Sequence, residues 1–275
     1  MNHPRHKLNR GFDWRPIRAP FRRLSPAQAE LYNAQGWFAF EDAFSPDEVE
    51  RLIAEIDPFE RETEAFLAEQ EGGRAFIGRA GELTFSAHLV ARSERLRDFV
   101  RSAPLREIAS DVLGPDVRLY WDQAVYKKPG DRRGFPWHQD NGYTFIEPQQ
   151  YLTCWIALTE ADERNGCPQV APGLHRQGTL AHEPSELGFR CLPDDFPGVP
   201  VPLRPGSVAV FSSLTPHRTG PNVGGDVRKA YIVQFAPDGA DWLMPDGSGG
   251  IRRTPANAPE RQFHVVLGGR PVREG

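Results

Sequence analysis

The strongest constraint on the fold is a change of texture at Pro115. Beyond it, residues 117–126, 151–158, 207–211 and 230–235 are short runs rich in β-branched and aromatic side chains. Clusters of Gly, Pro, Asn and Asp separate them, the pattern of strands joined by turns. Before Pro115 the signals are helical. Ser25-Pro26 offers an N-cap with proline at the first helical position, 27–35 follows, and Gly36 ends it. Ser45-Pro46-Asp47-Glu48 repeats that start, with Val49, Leu52, Ile53 and Ile56 on one face. Residues 94–102 and 104–113 predict two further helices, and 37–40 a short strand. Helices first and strands later predict an α+β, mainly β chain whose N-terminal helices buttress an antiparallel sheet system.

The expected organisation is an arm over 1–24, a single domain over 25–245 and an extended, loosely packed tail over 246–275. Residues 178–200 carry no strong helix or strand signal, and a loop of that length is a lid candidate. Composition narrows the function. The net charge of −4 and pI near 6.1 provide no basic field, so nucleic acid is not an expected partner. Cys154, Cys167 and Cys191 form no CxxC pair and no disulfide framework, which fits a reducing compartment. No apolar run is long enough for a membrane, and the Arg-rich start lacks a secretory apolar region. The chain is expected to be cytoplasmic and to act on a small molecule; its oligomeric state is not legible.

The chemistry concentrates in Phe135-Pro-Trp-His138-Gln-Asp140-Asn-Gly-Tyr143. On a strand, residues two apart face one way, so His138 and Asp140 would offer an imidazole and a carboxylate to one ion. Taken alone, the pair fits a capped turn or a surface histidine equally well. Thr215-Pro-His217 follows the strand at 207–211 and supplies a third donor. Two histidines and one carboxylate form the facial triad of non-haem Fe(II) oxygenases, which leaves coordination positions open. Arg228, eleven residues past His217, begins the strand beside it if the intervening turn closes a hairpin. A planar guanidinium there would grip a carboxylate, with the Thr219 hydroxyl beside it. A solvated edge-strand charge is the alternative for Arg228.

These pieces resemble the phytanoyl-CoA dioxygenase family of Fe(II)- and 2-oxoglutarate-dependent oxygenases. The similarity runs from about 120 to 237: Tyr126-Lys-Lys-Pro-Gly130, Trp137-His-Gln-Asp140, Cys154-Trp-Ile-Ala-Leu158, Asn165-Gly-Cys167, Pro172-Gly-Leu-His175, Pro205-Gly-Ser-Val-Ala-Val-Phe211, His217-Arg-Thr-Gly-Pro-Asn222 and Arg228. The resemblance implies a double-stranded β-helix, the jelly-roll or cupin-like core, over about 117–237. It implies Fe(II) on His138, Asp140 and His217, with 2-oxoglutarate and O2 as co-substrates. Arg228 and Thr219 would hold the distal carboxylate. Trp155 would line the co-substrate pocket, a role compatible with being a core aromatic. Halogenating relatives carry a small residue in place of the carboxylate, so Asp140 implies a hydroxylase or related oxidase. Candidate substrate contacts are Gln123, Tyr126, Phe135, Trp137, Asn141 and Tyr143, each of which could instead be packing. Arg74 and Arg79 are candidates for meeting an anionic substrate. A metal-dependent hydrolase on the same three donors and a non-catalytic cupin-like binder are the alternatives.

Overall fold

The structure is a computed structural model that describes residues 3–272; Met1, Asn2 and the last three residues of the expected tail lie outside it. Four helices form where the sequence predicts them: α1 (Pro26–Gln35), α2 (Pro46–Glu69), α3 (Glu94–Val100) and α4 (Ala103–Leu113). Ser25 with Gln28, and Ser45 with Glu48, make reciprocal capping boxes that satisfy otherwise orphaned first-turn N–H groups. Gly36 ends α1 in the left-handed region at φ 86°. A Cβ there would lie 2.4 Å from Thr215 Oγ1, so only glycine lets the helix end pass this close to the strand region.

The strands form two principal antiparallel sheets. The larger runs in the order β1 (Trp37–Phe40), β13 (Val208–Ser212), β8 (Leu152–Ala157), β15 (Arg228–Pro237), β5 (Val117–Lys127), β4 (Leu83–Ala87), β3 (Gly78–Arg79), β2 (Arg74–Ala75). β18 (His264–Leu267) also pairs with β5 and carries β19 (Arg270–Pro271). The smaller sheet runs β12 (Val199–Pro200), β9 (Pro168–Val170), β14 (His217–Thr219), β6 (Phe135–His138). Two satellites complete the set: β10 (Glu183–Ser185) with β11 (Gly188–Arg190), and β7 (Ile146–Glu147), β16 (Asp241–Pro245) and β17 (Ile251–Pro255). The core is the expected jelly roll.

Alternation divides each central strand between two cores. Leu152, Cys154 and Ile156 of β8, with Tyr231 and Val233 of β15, join Leu105 and Ile108 of α4 in the larger core. Trp155 and Ala157 of β8, with Ala230 and Ile232 of β15, face inward with Phe135, Val170 and Phe211. Because the helices cover the outer face, the inner face between the sheets can carry polar groups.

Two segments differ from expectation. Residues 246–255 are exposed, as expected, but the later part of the stretch is packed, since β18 adds to β5 and Phe263, Val265 and Val266 are buried in the larger core. Its anchor is a few residues long, too short for periodicity to register. Residues 178–200 contain the β10–β11 hairpin and β12 rather than an unstructured loop. The arm is tied down as well, through an isolated bridge from Arg5 to Leu180.

The helical wall should therefore be necessary for stability. Ile108→Ala should cost about 2–5 kcal/mol in urea unfolding, the range for a large-to-small change in a tight core. Loss of the exposed cap in Ser45→Ala should cost about 1 kcal/mol.

Candidate active site

β6 ends at His138 and β14 begins at His217, and the two residues are register partners. The register then shifts, with Thr219 opposite Phe135, so β6 holds one extra residue. This bulge lets both Phe135 and His138 face the inter-sheet cavity while Trp137 packs outside with Ala171, Leu180 and Leu192. Asp140 does not share a strand with His138, contrary to the alternation argument. It opens a single helical turn, α5 (Asp140–Tyr143). The buried Gln139 fixes the bend: its amide donates to the carbonyls of Gly178 (3.0 Å) and Leu214 (2.6 Å) and accepts the Leu180 N–H (2.6 Å). His182 Nε2 accepts the Gln139 N–H at 3.0 Å. A Cβ on Gly142 would lie 2.1 Å from the His182 ring, so that glycine admits the brace.

The result brings three donors together. Asp140 Oδ1 lies 3.7 Å from His217 Nε2 and 4.0 Å from His138 Nε2, and the three ligand atoms all fall within 4.8 Å of one another. Ligand atoms about 2.0–2.2 Å from a shared ion are separated by at most ~4.4 Å, so small movements bring all three onto one centre. The outer nitrogens are already engaged. His138 Nδ1 is 2.9 Å from the Pro136 carbonyl and His217 Nδ1 is 3.1 Å from that of Thr215. Each Nδ1–H donates, leaving the Nε2 lone pair for an ion. Burial pushes His138 down to about 3, with the neighbouring His217 adding to the effect, and His217 down to about 4, so both stay in the neutral, ligating form. Burial raises Asp140, while the Thr153 hydroxyl donates to its Oδ2 at 2.5 Å and leaves Oδ1 for an ion.

Arg228 lines the same cavity from the opposite sheet. β15 pairs with β5 and β8, not with β14, so the expected hairpin does not form and residues 220–227 cross between sheets instead. Asn222 ties that crossing down by donating to the carbonyls of Lys127 and Asp226, 2.9 Å each. The Arg228 guanidinium is 1% exposed, its carbon sits 5.1 Å from the centre of the Trp155 ring, and Nε and Nη1 meet no acceptor among the described residues. Burial lowers Arg228 to about 10, which leaves it charged at neutrality. Buried unpaired charge is strongly unfavourable, so this arrangement fits a carboxylate ligand. Lys127, which the sequence reading passed over, donates to Gly220 O (2.6 Å) and Thr219 Oγ1 (3.3 Å). With its lone pair so engaged, the Thr219 hydroxyl is free to donate to that carboxylate.

A cavity of about 330 Å³ joins these groups, and Trp155, Thr219, Gln123, Phe135 and Tyr143 line it as expected. Three candidates fall elsewhere. Tyr126 is on the helix-facing side of β5, donating to Asp57 at 2.6 Å. Its odd offset from Gln123 was the available sequence signal. Trp137 is on the outer face of β6. Asn141 is buried and structural, bonded to Thr179 and the Ile146 N–H. Arg74 is exposed and Arg79 pairs with Glu82, and neither lines the cavity. The aromatic wall of Phe76, Phe85, Trp121 and Phe189 was missed because it comes from separate short elements.

Comparison with known proteins agrees with this geometry. The sequence profile of phytanoyl-CoA dioxygenase matches residues 32–230. The chain is 28% identical over 216 residues to methylphosphonate hydroxylase of Gimesia maris, covering 77% of this chain and 80% of that protein. It is 27% identical over 222 residues to ectoine dioxygenase of Bordetella parapertussis, covering 73% and 71%. Among solved structures it superposes with TM-score 0.66 on the epimerase SnoN in complex with Fe3+, alpha ketoglutarate and nogalamycin RO, at 19% identity over 86% of this chain and 97% of that one.

His217→Ala should reduce Mn(II) affinity by about 100-fold or more in calorimetry while circular dichroism stays unchanged, since even losing a partner behind a ligand costs about 10–100-fold. Acid should destabilise the metal-free protein. His138, His175, His182 and His217 all lie at about 3 to 4 when folded, against 6.5 when free. Protons therefore bind preferentially to the unfolded chain, and stability present above pH 6.5 is lost as pH falls through that window. His88, also lowered to about 4, acts in the same sense, whereas Asp122, raised to about 6 by burial, and Asp140, which burial also raises, act in the opposite sense, two carboxylates against these five histidines. Urea midpoints that stay flat from pH 7 to about 4.5 would contradict this.

Proposed function

The chain belongs to the phytanoyl-CoA dioxygenase family of Fe(II)- and 2-oxoglutarate-dependent oxygenases, and on that premise we propose that it hydroxylates a C–H bond of a small molecule with His138, Asp140 and His217 as the iron ligands. The observation that carries the residue assignment is the pairing of this donor set with the unpartnered Arg228 guanidinium in one cavity. Iron held there, with 2-oxoglutarate and O2, supplies the oxidant, and succinate and CO2 leave. The protein's own work is positional. Arg228 and Thr219 hold the distal carboxylate, Trp155 flanks the guanidinium, and the apolar walls keep water from the reacting centre. Thr153 holds Asp140 through one oxygen, so that the other would be left to hold the metal.

The carboxylate of Asp140 favours hydroxylation over halogenation, since it fills the position a halide would take. A hydrolase on the same donors would need a general base beside the ion. Among the described cavity residues, the only carboxylate and imidazoles are the three ligands themselves. We place the protein in a reducing compartment, the cytoplasm, on the strength of three free cysteines, two of them buried. No helix among the described residues is long and apolar enough to cross a membrane.

Purified protein with Fe(II) should turn 2-oxoglutarate over to succinate under air, and substitution by Zn(II) should abolish it. Arg228→Ala should weaken 2-oxoglutarate binding by about 2 kcal/mol or more, the scale of a lost charge-assisted contact. Unchanged co-substrate affinity in that variant would mean that another group holds the carboxylate.

A further inference from the structure

The oxygenase reading assigns Arg228 to the co-substrate, and what remains of the cavity has a definite chemical character. Resting on that reading, we propose that the substrate is a neutral molecule with a cyclic, largely apolar body and a hydrogen-bond-accepting oxygen, rather than a phosphonate, carboxylate or zwitterion.

Charge is the first argument. Apart from the three metal-type donors His138, Asp140 and His217, the one acidic or basic side chain among the described residues lining the cavity is Arg228. An anionic substrate needs a guanidinium or ammonium of its own, because an unpaired buried anion loses several kcal/mol of hydration. Two arginines near the cavity, Arg79 and Arg133, are already engaged, and the exposed Arg74 and Arg132 do not line it. Arg79 pairs with Glu82 at 3.6 Å, and Arg133 bonds both Glu82 and Glu186, the latter at 2.8 Å.

Shape is the second. Phe85 lies 5.8 Å from Phe135, which stacks on Tyr143 with ring centres 6.4 Å apart, and Phe189 meets Tyr143 edge-on at 5.3 Å. These rings make a slot suited to another ring. Tyr143 also accepts the Phe189 N–H at 3.2 Å, which holds the β10–β11 hairpin over the slot. Phe76 also lines the cavity, from the turn between β2 and β3, with φ 50° and 75% of its surface exposed. A bulky residue in the left-handed region is uncommon where Gly or Asn would serve. An apolar ligand at the mouth would cover that exposed ring.

The third argument is the polar handle. Gln123 Oε1 accepts the Trp121 indole N–H at 3.2 Å. Indole is only a donor, so this contact fixes which way the amide points. The Gln123 NH2, with no partner among the described residues, then faces the cavity as a donor suited to a carbonyl, hydroxyl or ether oxygen.

The test is calorimetry on Mn(II)-loaded protein, first with 2-oxoglutarate alone and then, at saturating 2-oxoglutarate, with 1-tetralone, tetralin, 1-naphthoate and methylphosphonate. The expected result is that 1-tetralone binds about tenfold or more tighter than 1-naphthoate, with methylphosphonate weaker still. Gln123→Leu should weaken 1-tetralone about tenfold and leave tetralin unchanged, and Phe189→Ala should weaken both. Anions binding as tightly as the ketone, or neither of the two neutral bicyclics binding while 2-oxoglutarate does, would overturn the substrate class and leave the oxygenase reading standing. Failure of 2-oxoglutarate itself to bind would instead overturn the oxygenase reading, and the substrate class with it.

Discussion

Arg228 keeps its charge inside the sandwich although Nε and Nη1 meet no acceptor among the described residues. Such a group persists only if the fold holds it rigidly and a ligand completes it. Both conditions can be traced. Arg228 opens β15 in register with Lys127 of β5, and two residues later Ala230 pairs with both Val125 and Ala157. Trp155, on the neighbouring strand, lies against the guanidinium. The three metal-type donors meet the same cavity from the smaller sheet and the turn after it, so a molecule carrying both a carboxylate and a chelating group is the natural occupant.

That arrangement depends on layers farther out. The central strands can turn Thr153, Gln123, Gln234 and Arg228 inward because their other faces are sealed by α4 and the rest of the helical wall. On the smaller sheet, a bulge and a bend do the corresponding work. Gln139, His182 and Gly142 form a brace behind Asp140, outside the cavity, and they explain why the residues between and after the ligands are polar or small. The Gly166 turn approaches Gly220 so closely that a Cβ would lie 2.4 Å from its carbonyl oxygen, which packs the turn after β8 against the crossing that leads to β15.

Much of this is legible in the residues. Helix starts are local events, and Ser25-Pro26 and Ser45-Pro46 announce theirs through caps. The long central strands are visible because their flanking turns are punctuated by Gly, Pro and Asn. The metal-type donors are legible because few residue types bind metal and their order matches a known pattern. What escaped depends on long-range geometry. Whether residues 220–227 close a hairpin or cross between sheets is decided by pairing partners far away in sequence. Trp137 and Asn141 were expected at the site because proximity in sequence resembles proximity in space, yet a bulge and a helical turn rotate them away. The odd offset of Tyr126 from Gln123 along β5 already sets the two side chains on opposite faces. The short anchor at Val265–Val266 gives no period to read.

The central claim is that the donor triad and Arg228 together hold one chelating keto acid. Its most direct measurement is the visible absorption of the Fe(II) protein on anaerobic addition of 2-oxoglutarate. A metal-to-ligand charge-transfer band should appear and saturate at one equivalent, should be absent with His138→Ala, and should need a higher 2-oxoglutarate concentration with Arg228→Ala. No band in the wild-type protein, or the same band and saturation in both variants, would contradict the account.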